Sequence, residues 1–158
     1  MFTTKHLDKV LGEVRNYNKK SPFCPKKSLL AYRLSKMSSQ YRGIVTERMI
    51  RDYYISIGKI VRYCGGSHSH DMVVNSRKIE VKSAIAVPNM TRNGIQYSYN
   101  FQHIRPCNFH KLILVFISPE GLTIRVMDSK TVSKYLKTKK KHKSLYVRKR
   151  VVGKVLAT

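Results

Sequence analysis

Apolar residues recur along the chain with two different periods, and the switch from one to the other divides it into elements. Residues 3–19 carry Leu7, Val10, Leu11 and Val14 at helical spacing, with Thr3 or Thr4 as a cap, and predict an amphipathic helix broken by Ser21, Pro22 and Pro25. A second helix is expected over 26–37, bearing Leu29, Leu30, Leu34 and Met37. A third is expected over 43–57, closed by Gly58 where a helix C-terminus favours glycine. Its inward stripe would hold Ile50, Tyr54 and Ile57, and counting back three from Ile50 reaches Glu47. An acid on an apolar stripe is costly when unpaired, whereas Arg48, Arg51 and Asp52 can turn to water, so Glu47 stands out.

Period 2 then takes over. Residues 59–63 read as a strand, and Cys64 to His70 as a flexible loop rich in glycine and small polar residues. From His70 to Ser83 two β-branched runs flank Asn75 and Ser76, a turn-forming pair, and predict a β-hairpin. Residues 84–94, containing Pro88, Asn89, Asn93 and Gly94, read as a loop, and 97–106 interleave polar with aromatic residues. The apolar run 111–117 predicts a buried strand, 118–121 a turn, and 122–127 a returning strand. Asp128 and Ser129 cap a short helix to Leu136, and 144–156 read as a last hairpin or strand.

The hairpin carries the candidate chemistry. An even-length loop centred between Asn75 and Ser76 sets Asp71 opposite Glu80, with Cβ atoms about 5 Å apart on one face. Lys82 joins that face by the period-2 rule, and Met72, Val74, Ile79 and Val81 take the other, which is apolar enough to bury. Facing carboxylates repel, so the pair calls for a positive charge between them, and a divalent cation supplies it.

Charge sharpens this picture. Over 158 residues, 32 Lys and Arg stand against 8 Asp and Glu, for a formal charge of +24. Such an excess is self-repulsive and points to a polyanion, with nucleic acid favoured over membrane lipid because no basic amphipathic helix with a bulky apolar face dominates. A nucleic-acid binder has reason to discard acids, so acids gathered at one locus need an explanation. Arg105 among the aromatics, Lys139, Lys140, Lys141 and Lys143 in the cationic run 137–143, and Arg148 are candidate phosphate contacts. His68 and His70 flank the hairpin as candidate phosphate contacts, metal ligands or proton carriers. Cys24, Cys64 and Cys107 are odd in number and form no Cys-X-X-Cys pair, which argues against a disulfide framework or structural zinc and fits a reducing compartment.

The order Asp71, spacer, Glu80-Val81-Lys82 resembles the signature of the PD-(D/E)XK, restriction-endonuclease-like nucleases, with His70 where many members have proline. Residues 41–84, with Arg42-Gly43, Glu47-Arg48, Gly58, Gly66-Ser67, Asp71 and Ile79 to Ser83, are similar to archaeal Holliday-junction resolvases. The segment Phe101-Gln102-His103-Ile104-Arg105-Pro106 resembles small site-specific restriction and homing endonucleases of the same superfamily. The resemblance implies an α/β fold: a mixed central sheet in αβββαβ order with additional N-terminal helices. It implies that Asp71 and Glu80 hold Mg²⁺, or Mn²⁺ as substitute, that Glu47 and the Val81 carbonyl add to the shell, and that Lys82 orients the attacking water. Gln102 and Ser67 would assist.

The expectation is one domain over 1–158, with a helical appendage over 1–40, a catalytic core over 41–136 and a basic region over 137–158. No apolar run is long enough to span a bilayer and no leader is evident, so a soluble cytoplasmic protein is expected. The function expected is Mg²⁺-dependent DNA cleavage at specific duplex sites. A Holliday-junction resolvase and a non-catalytic basic nucleic-acid-binding protein are the alternatives. Cutting two strands needs two active sites, hence a homodimer or larger symmetric assembly. Binding to DNA is expected to weaken steeply with salt, read as the slope of log K against log salt in an anisotropy titration.

Overall fold

Two serines start the helices that precede the sheet. Ser28 Oγ accepts from the Ala31 N–H at 3.2 Å and opens α1 (Leu29–Lys36); Ser38 Oγ accepts from the Tyr41 N–H at 3.2 Å and opens α2 (Ser39–Ser56). The computed structural model describes residues 22–23, 25–64, 68–91, 94–136 and 144–148, with residues 90, 91, 94, 95 and 148 through their backbone alone. The helix expected over 3–19, Ser67, and Lys139, Lys140, Lys141 and Lys143 lie outside the described residues. Helix α2 starts at Ser39 rather than Gly43 because Ser38 provides the cap. It closes as expected at Gly58, whose φ of 74° suits glycine and whose N–H donates to the Ile55 carbonyl. Its buried residues are Val45, Thr46 and Ile50, whereas Ile57, expected on the inward stripe, is 47% exposed. By Ile57 the chain has left helical geometry, with φ −99° and ψ 21°, and the helical phase no longer applies.

Strands β1 (Val61–Tyr63), β2 (Met72–Val74), β3 (Arg77–Ile85), β6 (Lys111–Ser118) and β7 (Gly121–Asp128) form one sheet in the order β1-β2-β3-β6-β7. Every neighbouring pair is antiparallel except β3 with β6, so the sheet is mixed. The hairpin register is the expected one, Met72 opposite Ile79 and Val74 opposite Arg77. Asn75 and Ser76 have φ of 45° and 65°, the two left-handed residues of a turn whose twist matches its strands. The Asn75 side chain accepts from the Ile60 N–H and so ties the turn to the start of β1.

Strand β6 is the centre of the core, with Leu112 to Ile117 all buried. Helix α2 packs on β3 and β1, and α1 on β6 and β7. Helix α3 (Ser129–Leu136), capped by Asp128 Oδ1 on the Thr131 N–H at 2.8 Å, packs on β6, β7 and a single 3-10 turn, Pro106–Asn108. A second, antiparallel sheet of β4 (Val87–Thr91), β5 (Gly94–Phe101) and β8 (Leu145–Arg148), in the order β4-β5-β8, leans on β3 through β5. The Phe116 ring meets Tyr99 and Phe101 edge to face, both with centroids 4.9 Å away, and fastens the two sheets.

The fold is thus mixed α/β, with two corrections to the expected order. Within 84–94, expected as a loop, residues 84 and 85 end β3, 87–91 form β4 and Gly94 opens β5, which pairs with β4; Pro88 is tolerated because β4 is an edge strand. Among the described residues no helix joins β3 to β6, so the crossover is this arm and the 3-10 turn rather than the α of αβββαβ. No helix among the described residues is long and apolar enough to cross a membrane. Because Ser76 is an L-residue in a left-handed well, Ser76→Gly is expected to stabilise the protein by about 1 kcal/mol, measured as a higher urea midpoint at unchanged slope.

Candidate functional site

The β2–β3 ladder stops at Met72, one residue before Asp71. Past that end β3 keeps β6 on one edge but has lost β2 on the other, and there the Asp71 side chain takes the strand's place: its Oδ2 accepts from the Val81 N–H at 2.7 Å. The Asp71 backbone continues the linkage, its N–H donating to Ile79 O at 3.0 Å and its carbonyl accepting from Cys64 N at 2.9 Å. Asp71 is therefore not a regular cross-strand partner of Glu80 but a carboxylate pinned on the β3 main chain. Val81 contributes its amide N–H to the site, a contact in addition to the carbonyl ligand the resemblance implies.

Glu80 and Lys82 lie two apart on one face of β3, and Lys82 Nζ is 2.6 Å from Glu80 Oε1. In-register residues of parallel neighbours share a face, so this is also the face of Leu112 and Leu114 on β6. Further along it, Ala84 and Phe116 are covered by the second sheet. Glu80 and Lys82 sit where that cover ends. Glu47 comes from α2, and its Oε2 accepts from the Tyr63 hydroxyl at 2.8 Å. The Arg51 guanidinium lies over the Tyr63 ring, 5.8 Å from its centroid, and Asp52 holds Arg51 at 2.7 Å.

All three acids bind their protons more tightly than free carboxyls, through burial first, and the Asp71 charge adds to the shift of the other two. Glu47 is shifted up first by burial and then by the Asp71 charge, against the Tyr63 hydrogen bond and the Lys82 charge. Asp71 is shifted up by burial, opposed by the Val81 N–H and Lys82. Glu80 is shifted up by burial and by Asp71, opposed by Lys82. Burial next to Glu47 pushes the Tyr63 phenol up to about 12, so it stays a hydrogen-bond donor. Glu47 is thus coupled electrostatically to Asp71, Glu80 and Lys82, though it does not line the cleft they share.

Asp71, Glu80 and Lys82 line an open cleft of about 310 Å³ together with His68, Ser69, His103, Arg105 and Asn108. His68 and Arg105, both expected near phosphate, are therefore at the site. Gln102 is exposed and does not line the cleft; it follows Phe101, whose ring is in the core, and strand alternation turns it outward. His70 is not the exposed loop histidine expected: it is 7% exposed, with Nε2 3.6 Å from Cys64 Sγ and Nδ1 3.3 Å from Ser69 Oγ, and burial lowers its pKa. Arg148 is placed by its backbone on β8, opposite Ser98. Tyr63, Ser69, His103 and Asn108 were not anticipated. A signal existed for His103, which with Arg105 brackets the apolar Ile104 at period 2; for Tyr63 and Asn108 the sequence carries none that we can identify.

Among the described residues no three His, Cys, Asp or Glu side chains converge as a ready-made metal cage. Lys82, as the direct counter-charge to Glu80, and the Val81 N–H on Asp71 each occupy a carboxylate oxygen. The donor set still fits a hard cation: acid oxygens, and ionised acids that their protein partners compensate only in part. No family model, curated protein or solved structure matches the chain.

The raised pKa values fix a sign. Between the unfolded carboxyl pKa, about 4, and the raised folded values, the folded state binds more protons than the unfolded one, so metal-free stability falls as pH rises through that window. Glu47→Gln, which keeps an acceptor for Tyr63 but removes one charge, is expected to flatten that fall. It should raise metal-free stability at pH 7 by on the order of 0.5 kcal/mol, measured by urea unfolding in EDTA at stepped pH.

Proposed function

We propose that this chain is a divalent-metal-dependent endodeoxyribonuclease, a site-specific cutter of duplex DNA, with a restriction-endonuclease-like core formed by α2, β1, β2, β3 and β6. The observation that carries this reading is the meeting of Asp71, Glu80 and Lys82 in one cleft, with Glu47 coupled to them, in a chain that retains 8 acids against 32 Lys and Arg. Asp71 and Glu80 would hold Mg²⁺ or Mn²⁺, with Glu47 the third acid. When bound, such an ion supplies Lewis-acid polarisation of the scissile phosphate and acidifies a water.

The chain's own groups do the rest. The Val81 N–H holds one Asp71 oxygen, which leaves Oδ1 as the oxygen for ligation. Tyr63 does the same for Glu47, holding Oε2. Lys82 pairs with Glu80 here, and with Glu80 engaged by a metal its ammonium would be free to orient water and to offset charge building on the phosphate. Affinity would come from the basic surface and specificity from contacts beyond the cleft. Two such sites, hence a symmetric assembly, would cut both strands.

One observation favours a second reading: the Lys82–Glu80 pair and the lack of a ready-made cage among the described residues are what a non-catalytic basic nucleic-acid binder would also have. Plasmid nicking separates the two. Wild type with Mg²⁺ is expected to nick supercoiled DNA, EDTA to stop it, and Asp71→Ala and Lys82→Ala each to slow it by roughly 100-fold or more. Equal behaviour of all three proteins would establish the non-catalytic reading.

A further inference from the structure

The cleft has two chemically opposite sides. The hairpin contributes Asp71 and Glu80, whereas the connection from β5 into the 3-10 turn contributes His103, Arg105 and Asn108, all donors to an anion. We propose that His103, Arg105 and Asn108 form a seat for a backbone phosphate of the nucleic-acid substrate, next to the phosphate that lies at the carboxylates. This rests on the nuclease reading above and adds to it the group that fixes substrate position.

Three features build the seat. Phe101, Ile104 and Pro106 are buried, Ile104 with 0% exposure, so the segment is pinned to the core at both ends and in the middle. His103 and Arg105 flank Ile104 and both reach the cleft. The 3-10 turn closes through the Asn108 N–H on the Arg105 carbonyl at 3.0 Å, which brings Asn108 beside them. His103 holds this arrangement at a φ of 55°, uncommon for a residue with a side chain, though histidine is among the types that tolerate it. Among the described residues neither Arg105 nor His103 has a carboxylate within ion-pair distance, so the Arg105 fork is open to a bidentate phosphate contact. His103 and Arg105 are exposed on a backbone already fixed by its buried neighbours, so the main chain loses little freedom when a phosphate arrives.

The test uses the full chain in two arms. In EDTA, inorganic phosphate is titrated while the side-chain NMR signals of His103 and Asn108 are followed. A saturable shift is expected, weakened about tenfold by Arg105→Gln and unchanged by Lys130→Gln, at an exposed position of α3. No saturable shift, or one indifferent to Arg105→Gln, overturns the seat. In the second arm, Arg105→Gln and His103→Asn, which keeps a residue tolerant of positive φ, are assayed on duplex DNA with Mg²⁺. Turnover is expected to fall further than binding measured in Ca²⁺, whereas Lys130→Gln leaves turnover unchanged. Equal losses in binding and turnover would make these residues ordinary surface cations and overturn the seat. Phosphate seated as described in a wild-type protein that cuts no DNA sinks the nuclease reading alone.

Discussion

Carboxylate crowding is the constraint around which this molecule is arranged. Glu47, Asp71 and Glu80 gather at one end of a sheet; burial holds the proton affinity of all three up, and the Asp71 charge adds to that of Glu47 and Glu80. A fold selected for stability alone would disperse them. The structure instead meets each with one fixed partner: a main-chain N–H for Asp71, a phenol for Glu47, an ammonium for Glu80. Each contact offsets part of the repulsion, and none removes it.

The rest of the architecture serves to hold that end in place. The parallel β3–β6 pair runs through the centre of the core, and the face carrying Glu80 and Lys82 continues into one sealed by the Phe116, Tyr99 and Phe101 rings. The cleft is the uncovered remainder of that face. Its far side is delivered by the chain that returns from the second sheet to β6, so both sides of the cleft depend on how the β4–β5 arm departs from β3 and comes back.

Much of this was legible in the residues and some was not, for identifiable reasons. The hairpin register, the apolar face of Met72, Val74, Ile79 and Val81, the β6 core strand and the placement of Glu47 follow from period and turn chemistry, which act over short distances. The β4–β5 arm was missed because Pro88 and Asn89 carry turn signals that an edge strand can absorb. That His103 rather than Gln102 lines the cleft was not legible, because the end of β5 is a matter of one residue and a strand end decides which of two neighbours faces it. The Asp71–Val81 contact was invisible because it exists only where the ladder stops. The burial of His70 was not legible because its contacts, Cys64 across the loop among them, follow from no local pattern.

The two-residue connection at Asn75 and Ser76 has a consequence for how such a sequence can change over generations. Alternation means that adding or deleting one residue on the β3 side of this connection would transpose inside and outside, driving Glu80 and Lys82 into the core and Ile79 and Val81 into solvent. Substitutions here can be absorbed one by one, but length cannot drift. Indels in descendants of this chain should collect elsewhere, leaving the spacing from Asp71 to Lys82 as its most durable inherited trait.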